Sequence, residues 1–375
     1  MLRVGLLLLV LLLGGCNTLR LGTPAPDAAP TAVSAPPLER LWERNVNAGF
    51  GPAAPLVLGE HVLVGTREGD VVLLDAETGA VDGRQSFGDS VEGPLAFSAG
   101  RRLLYVASAL PGQVIAHDLV RGERAWRWKS RDLGTPDAGV VHVRGHVVAP
   151  LSDGHIVGLD ATDGARRWLV RPDSTARFVA PPVVVDDVVV VVDDRGQVRR
   201  IDPAAGTVQS TVSVGGAVEH APTVAGGLLV VPRTDGYLVA VDLAAMATRW
   251  RVPFSESARV PPRVGPPAAA AVGGRAHIVA GATNGRTVAV DAATGRVAWV
   301  RDFDAHANGT PLVSGGFVYI GTTDQRVLAL DAASGETRWE TSVRGRVKSG
   351  LAAADGVLFV LTEPRHVVAF GPPTQ

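Results

Sequence analysis

The sequence predicts an all-β protein, an eight-bladed β-propeller with four-stranded antiparallel blades. Three observations lead to this prediction: a motif that recurs about every 40 residues, Val-rich runs bounded by Gly, Pro and Asp in place of helical patterns, and a strand that is missing at one chain end and present at the other. A period near 40 residues is typical of arrays in which each unit buries its apolar face only against its neighbours. A seven-bladed propeller is the alternative, if the weak copy around Asp118 is not a blade.

Each repeat reads as a strand ending in Asp, a Gly four residues later and, in most copies, a Trp four residues after the Gly. The clearest copy is Val288-Ala-Val-Asp291-Ala-Ala-Thr-Gly295-Arg-Val-Ala-Trp299. Successive aspartates are 43, 42, 42, 40, 49 and 40 residues apart. The repeated aspartates are Asp75, Asp118, Asp160, Asp202, Asp242, Asp291 and Asp331. The tryptophans eight residues further on are Trp126, Trp168, Trp250, Trp299 and Trp339.

The residues of the motif have local structural explanations. An Asp side chain can accept hydrogen bonds from the backbone amides just ahead of it, and a Gly four residues later can adopt positive φ. A large ring at the same place in successive units suits packing between adjacent blades. We therefore expect the Asp, Gly and Trp of the motif to hold the fold together. Gly83 and Ser210 replace the Trp in two copies, and Met246 replaces the Gly in one.

The two chain ends predict how the ring closes. The last copy ends at Val367-Val-Ala-Phe370-Gly371, with Phe at the Asp position, and no Trp strand follows. A strand of that kind occurs instead at the other end, as Leu38-Glu-Arg-Leu-Trp42-Glu-Arg-Asn-Val46. If this strand completes the last blade, the seven visible copies become eight blades and no long open sheet edge remains.

The first sixteen residues form a separate segment. Met1-Leu-Arg3 is a short basic start, residues 4–13 are apolar, and Gly14-Gly15-Cys16 ends the segment with small residues. This pattern predicts a secretory signal peptide over residues 1–15, which is too short to span a membrane. The sequence Leu13-Gly-Gly-Cys16 resembles a bacterial lipobox, and this resemblance implies that Cys16 is lipidated and carries palmitate-type acyl chains.

A Pro-rich stretch separates Cys16 from the repeats. Residues 17–37 contain five prolines among Ala, Thr and Ser, a composition that predicts an extended tether. Similarity to Gram-negative lipoproteins implies that Asn17, directly after the Cys, favours sorting to the outer membrane. The predicted organisation is a signal peptide, a lipidated Cys with its tether, a propeller and a tail, over residues 1–15, 16–37, 38–371 and 372–375.

Composition excludes one class of partner, and one interval departs from the period. The formal net charge is −1 with 19% charged residues, so no basic field predicts a nucleic-acid partner. The 49-residue interval contains an insertion over residues 252–267, between the outer strand of one unit and the inner strand of the next. Insertions in repeat proteins map to one face and often serve binding, although a plain tolerated loop explains this one equally well.

The repeat unit, Val-x-Ala-Leu-Asp-Ala-x-Ser/Thr-Gly-x-x-x-Trp, resembles that of pyrroloquinoline-quinone-type propellers. Together with the lipobox and the Pro-rich tether, it resembles the BamB-type lipoproteins of the outer-membrane β-barrel assembly machinery. That resemblance implies a non-catalytic scaffold on the periplasmic face of the outer membrane, which docks on the periplasmic part of the barrel-forming subunit. It implies no cofactor, no metal and no nucleic-acid partner.

The same resemblance points to two residues for docking. Family members use an Arg in an Arg-x-x-x-x-Pro stretch that opens one blade, and acidic residues before the matching Pro of the next blade. Here Arg177-Phe-Val-Ala-Pro-Pro182 has the Arg and the Pro at the right interval. One blade later, Ala217-Val-Glu219-His-Ala-Pro222 has one acid, Glu219, and Ala217 stands in place of the other. Arg177 and Glu219 are therefore the predicted partner-binding residues.

A quinone-dependent periplasmic oxidoreductase or a ligand-sensing propeller is the alternative. The resemblance to quinoprotein dehydrogenases would require a vicinal disulfide over the quinone, a calcium site and a catalytic Asp. Cys16 is the only cysteine of the chain, so that disulfide cannot form. The sequence therefore predicts a binding protein with no catalytic residues.

Overall fold

The computed structural model describes residues 19–21, 32–173, 176–254 and 260–373. Every regular element in these ranges is a β-strand, and the strands form eight four-stranded antiparallel sheets arranged as a ring of blades. The predicted eight-bladed propeller is confirmed, and the seven-bladed alternative is wrong because the weak copy around Asp118 forms a complete sheet. The predicted signal peptide and Cys16 lie outside the described residues. None of the described segments is a helix that could cross a membrane.

Thirty-two strands lie in the described ranges, and we number the blades so that blade 1 begins at the second strand. The strands are β1 (Glu39–Asn45), β2 (Leu56–Leu58), β3 (His61–Gly65), β4 (Asp70–Asp75), β5 (Val81–Ser86), β6 (Ala96–Ser98), β7 (Leu103–Ser108), β8 (Gln113–Asp118), β9 (Glu123–Lys129), β10 (Val141–Val143), β11 (His146–Pro150), β12 (Ile156–Asp160), β13 (Arg166–Val170), β14 (Val183–Val185), β15 (Val188–Val192), β16 (Gln197–Ile201), β17 (Val208–Ser213), β18 (Thr223–Ala225), β19 (Leu228–Pro232), β20 (Tyr237–Asp242), β21 (Ala247–Pro253), β22 (Ala268–Val272), β23 (Arg275–Gly281), β24 (Arg286–Asp291), β25 (Val297–Asp302), β26 (Leu312–Ser314), β27 (Phe317–Gly321), β28 (Arg326–Asp331), β29 (Thr337–Ser342), β30 (Ala352–Ala354), β31 (Val357–Thr362) and β32 (His366–Gly371).

Each blade is an antiparallel meander whose first strand is innermost. First strands of neighbouring blades contact one another, as β6 and β10 do, and also β22 and β26. The second and third strands are mostly buried, whereas the fourth strand is mostly exposed. The core therefore lies between the blades, where the apolar second and third strands of neighbouring sheets pack face to face.

The ring closes as the chain ends predict. Strand β1 pairs antiparallel with β32, so that blade 8 has the order β30, β31, β32, β1. Trp42 lies opposite Ala369 in this pairing. A strand from the beginning of the chain thus supplies the outer edge of the last blade, and the ring leaves no gap at the junction.

The Asp–Gly turn joins the third and fourth strands. Asp291 Oδ1 accepts hydrogen bonds from the backbone N–H and the hydroxyl of Thr294, at 2.9 and 2.7 Å. Gly295 then adopts a φ of +72°, and its N–H donates to the Asp291 carbonyl. The side chains of the other repeated aspartates accept from the amides ahead of them in the same way; they are Asp75, Asp118, Asp160, Asp202, Asp242 and Asp331.

The tryptophans connect neighbouring blades. Trp250 Nε1 donates to the carbonyl of Ala292, the residue after the repeated Asp of the next blade, at 2.8 Å. Its ring lies against Gly295 of that blade, where a Cβ atom would come within 2.7 Å of Trp250 Cγ. The other five tryptophans at this position of the repeat also donate their indole N–H to a carbonyl of the following blade, at 2.9 to 3.0 Å; they are Trp42, Trp126, Trp168, Trp299 and Trp339.

The two blades without a Trp use other donors for the same carbonyl. At the boundary of blades 4 and 5, Ser210 stands at the Trp position, and Arg200 Nη1 donates to the Leu243 carbonyl at 3.2 Å. At the boundary of blades 1 and 2, Gly83 stands there, and the backbone N–H of Leu21 donates to the Leu119 carbonyl at 2.7 Å. Seven of the eight blade boundaries therefore have a hydrogen bond to the carbonyl of the residue after the repeated Asp. At the boundary of blades 7 and 8, Trp339 donates to the carbonyl of Leu38 instead.

The propeller has two faces with different residues. The Asp–Gly turns and the turns between first and second strands lie at one end of the strands, which we call the turn face. The segments that lead into the first strands, and the turns between second and third strands, lie at the opposite end, which we call the entry face. The Asp and Gly of the repeat motif lie on the turn face.

Candidate partner-binding surface

The two predicted docking residues lie on the entry face of neighbouring blades. Arg177 leads into β14 of blade 4, and Glu219 leads into β18 of blade 5. The insertion over residues 252–267 leads into β22 of blade 6 and is on the same face; residues 255–259 of it lie outside the described residues, and Val260 is 81% exposed.

The backbone of Arg177 is held firmly although its side chain is exposed. Its N–H donates to Asp194 Oδ1 at 3.0 Å, and the Asp194 N–H donates back to the Arg177 carbonyl at 2.8 Å. The next residue, Phe178, is 1% exposed and packs in the core between blades 3 and 4. The Arg177 side chain makes no ion pair with any other residue that the structure describes. Within the described part of the chain it is therefore an unpaired cation on a rigid support.

Glu219 is paired with a residue that the sequence prediction missed. Its Oε2 accepts a hydrogen bond from Arg263 Nη1 of blade 6 at 2.7 Å. Arg263 occupies the same position in its blade as Arg177 does, since its N–H donates to Thr283 Oγ1 and its carbonyl accepts the Thr283 N–H. The signal was present in the sequence, where Arg263-Val-Gly-Pro-Pro267 repeats the Arg and paired prolines found after Arg177.

Blades 4, 5 and 6 thus present a row of alternating charge, Arg177, Glu219 and Arg263. The side chains of Glu219 and Arg263 are 44% and 62% exposed. An exposed pair of this kind contributes at most about 1 kcal/mol, because water and salt screen it. Each of its members can therefore exchange its partner for a charge on another protein at little cost.

A central funnel lies beside this row. Its volume is about 590 Å³, and it is lined by the residues just before the first strands of seven blades, largely Pro and Ala. Three carboxylates border it, those of Glu92, Asp137 and Glu219. His220 also lines the funnel; burial lowers its pKa, so its ring is neutral near pH 7. The funnel is an apolar concavity with an acidic margin.

Among the described residues, none of the other predicted ones joins this surface. Cys16, the predicted lipid site, lies outside the described residues. The repeated Asp and Trp residues lie between blades or on the turn face. In residues 19–21, 32–173, 176–254 and 260–373, no three His, Cys, Asp or Glu side chains are grouped so that they could hold a metal ion.

The repeat region matches one protein family along almost its whole length. The model of this family is described as "Outer membrane protein assembly factor BamB", and it matches residues 31–177, 170–309 and 285–374. The chain belongs to this family. The BamB protein of Bordetella pertussis is 30% identical over 235 residues, which are 58% of each chain. That of Yersinia pestis is 24% identical over 248 residues, 56% of this chain and 60% of the relative. The chain thus spans about three fifths of these relatives' length.

Solved structures share the propeller at lower sequence identity. The BamB structure from Moraxella catarrhalis has a TM-score of 0.69 at 18% identity. The match covers 89% of this chain and the whole of the Moraxella catarrhalis chain. A quinohemoprotein alcohol dehydrogenase from Comamonas testosteroni has a TM-score of 0.72 at 14% identity. The match covers 96% of this chain and 80% of the dehydrogenase chain. Since a BamB protein and a dehydrogenase match equally well, these likenesses show the fold, and the fold alone does not choose a function.

Proposed function

We propose that the protein is a non-catalytic, lipid-anchored scaffold of outer-membrane protein assembly, held on the periplasmic face of the outer membrane. In this proposal the entry face docks on the periplasmic part of the barrel-forming subunit. Membership of the BamB family supports the general role. The single structural observation that supports the docking site is the row of Arg177, Glu219 and Arg263, with one unpaired cation on a rigid support.

The chemistry of the row suits an interface with a charged protein surface. A guanidinium such as that of Arg177 can form two parallel hydrogen bonds to a carboxylate of the partner. Its backbone is already fixed by Asp194, so binding has to order only the side chain. Glu219 can in turn accept a hydrogen bond from a basic residue of the partner, once Arg263 moves aside.

The first prediction is that Arg177→Glu greatly weakens docking. The reversed charge would place a carboxylate against the acidic partner group, and we expect at least a tenfold loss of co-purified barrel-forming subunit from detergent-solubilised membranes. The thermal unfolding temperature should not change, because only the backbone of Arg177 is hydrogen-bonded within the fold.

Arg296→Glu is the matched control for this experiment. Arg296 is equally exposed but lies in an Asp–Gly turn of blade 6, on the turn face. Its replacement should leave recovery of the subunit unchanged. If Arg177→Glu co-purifies as much subunit as the unmodified protein, the assignment of Arg177 is wrong.

The likeness to a quinohemoprotein dehydrogenase makes quinone-dependent oxidation the alternative function. The chain has a single cysteine, so it cannot form a vicinal disulfide to cover a quinone. The discriminating experiment supplies pyrroloquinoline quinone and calcium and follows dye reduction with alcohols or sugars. Turnover above a heat-denatured control would support the enzyme and overturn the scaffold as the whole function.

A further inference from the structure

The missing Trp of blade 1 is replaced by a segment close to the N-terminus. Leu19 and Leu21 are 0% and 3% exposed, and they pack among apolar residues of blades 1 and 2. The Leu21 N–H donates to the Leu119 carbonyl at 2.7 Å, and Arg20 Nε donates to the Val120 carbonyl at 2.8 Å. The segment Leu19–Leu21 therefore occupies the place that a Trp has at other blade boundaries.

A buried histidine adds a third hydrogen bond to this segment. His117 of β8 lies 2.8 Å from the Leu19 carbonyl through Nε2. Burial lowers the pKa of His117, so the ring is neutral near pH 7 and donates its Nε2–H to the carbonyl. Apolar burial and three hydrogen bonds thus fix a segment that lies within the predicted tether.

The position of this segment limits how far the protein can move from a lipid on Cys16. Only Asn17 and Thr18 lie between Cys16 and Leu19. Three residue steps of fully extended chain span about 10 Å. Wherever Cys16 is inserted, the outer rim of blades 1 and 2 must lie within about 10 Å of it, which is about the diameter of one helix.

The outer strand of blade 2 carries positive charge at this rim. Arg124, Arg127 and Lys129 of β9 are all exposed, and none of them forms an ion pair with another described residue. Arg124 pairs in register with His117, so the strand runs directly beside the fixed segment. The corresponding strand of blade 6, on the opposite side of the ring, exposes Val297, Ala298 and Val300 instead. The basic strand is thus placed where the predicted anchor emerges.

We propose that the outer strand β9 faces the membrane and that Arg124, Arg127 and Lys129 bind the phosphates of anionic phospholipid headgroups. The inference rests on the lipid anchor of the proposed function. Cations beside a membrane surface are attracted to anionic lipids within about a Debye length, and the short link to Cys16 keeps these three within that range. With the rim of the ring against the membrane, the entry face is not covered by lipid and stays open to a partner.

The test measures the distance of two matched positions from the headgroups. The lipidated protein is reconstituted in vesicles of phosphatidylethanolamine and phosphatidylglycerol that include a nickel-chelating lipid. A nitroxide is attached at Ala125→Cys or at Ala298→Cys; each alanine is exposed and directly precedes the Trp of its outer strand. We expect strong nickel-induced relaxation at position 125 and at least a threefold weaker effect at position 298.

Charge reversal at Arg124, Arg127 and Lys129 gives the second arm of the test. The triple Glu variant labelled at position 125 should remain in the vesicle fraction through its lipid, yet its relaxation should fall at least twofold. Equal relaxation at the two positions, or an unchanged value in the triple variant, would overturn the proposal. Absence of the protein from the vesicle fraction would overturn it as well, together with the anchor. No barrel-forming subunit is present, so the outcome is independent of the docking proposal.

Discussion

Gly295 and Trp250 belong to neighbouring blades, yet each limits what the other position can hold. The ring of Trp250 covers Gly295 so closely that a Cβ there would overlap it, and the φ of +72° also disfavours a side chain. The same contact recurs between Trp42 and Gly79, and between Trp299 and Gly335. The spacing of Gly and Trp within one repeat therefore reflects a contact between two repeats.

A prediction follows for Gly295→Ala. The added methyl group combines positive-φ strain with a clash against Trp250, and we expect a loss of about 2–4 kcal/mol in the free energy of unfolding. Urea unfolding followed by Trp fluorescence measures it.

Gly226→Ala provides the matched control for this loss. Gly226 has a φ of +57° but no atom within 4 Å of its Cβ position. Its replacement should cost only about 1 kcal/mol, from backbone strain alone. Equal losses in the two variants would show that the ring contact contributes nothing.

At the scale of elements, the third-strand residue that lies opposite each Trp explains why two blades lack the Trp. Trp250 lies opposite Ala240, and Trp168 lies opposite Gly158, whose Cβ position would fall 2.0 Å from the indole. Where the Trp is absent, the opposite residue is larger, Leu73 in blade 1 and Arg200 in blade 4. In blade 4 the large residue, Arg200, itself supplies the hydrogen-bond donor, whereas in blade 1 the segment Leu19–Leu21 supplies it.

A second boundary of the Trp type can therefore be built between blades 4 and 5. Arg200→Ala alone should destabilise the fold by about 1–3 kcal/mol, because the Leu243 carbonyl loses its donor. Adding Ser210→Trp and Met246→Gly to Arg200→Ala gives this boundary the three parts that the others have. Ser210→Trp supplies the ring, Arg200→Ala supplies the small residue opposite it, and Met246→Gly supplies the Gly beneath it. We expect the triple variant to regain at least about 1 kcal/mol over the single variant in urea unfolding. A triple variant no more stable than the single one would contradict this account of the boundary.

Strand content and blade number could be predicted from the sequence because the apolar runs and Asp–Gly turns are local signals. The bulge in each outer strand could not be predicted from the sequence. Ala298, just before Trp299, has no partner in β24, and Ala125 is skipped in the same way opposite β8. The bulge depends on how the ring must turn toward the next blade, and that is a tertiary requirement.

The docking surface was predictable only in part for a similar reason. Arg177 and Glu219 stand out by resemblance, but the partner of Glu219 belongs to the following blade. Arg263 lies 44 residues further along the chain, and only the ring places it beside Glu219. The role of Leu19–Leu21 was equally hidden, because three residues in a Pro-rich stretch carry no periodic pattern.

At the scale of the whole molecule, the repeated aspartates make stability depend on pH. Hydrogen bonds lower the pKa of Asp75, Asp202, Asp291 and Asp331, and the Arg167 side chain, with backbone amides, lowers that of Asp160 to about 2. A carboxyl group with a lowered folded-state pKa stabilises the fold above its unfolded value, near 4, and loses this contribution as pH falls through the folded value. Stability should therefore fall between about pH 4 and pH 2.

The urea midpoint at pH 6, 4, 3 and 2 measures this decline, which should be steepest below pH 4. Asp160→Asn should be less stable than the unmodified protein at pH 6 and more nearly equal to it at pH 2, since the carboxyl group is then protonated in the unfolded state and about half protonated in the folded state, whose pKa is about 2. A midpoint that does not change from pH 6 to pH 2 would contradict the role assigned to the aspartates.

The pairing of β1 with β32 also sets the order in which the molecule can form. Its two strands are the first and the last of the described strands along the chain, so a chain that lacks either of them cannot complete blade 8. Closing a loop of this length has a high entropic cost, and the seven intermediate blades must already bring the two ends near each other. Ring closure is therefore expected to be the final and slowest step of folding, and until then β32 presents an open edge to any chain that can pair with it.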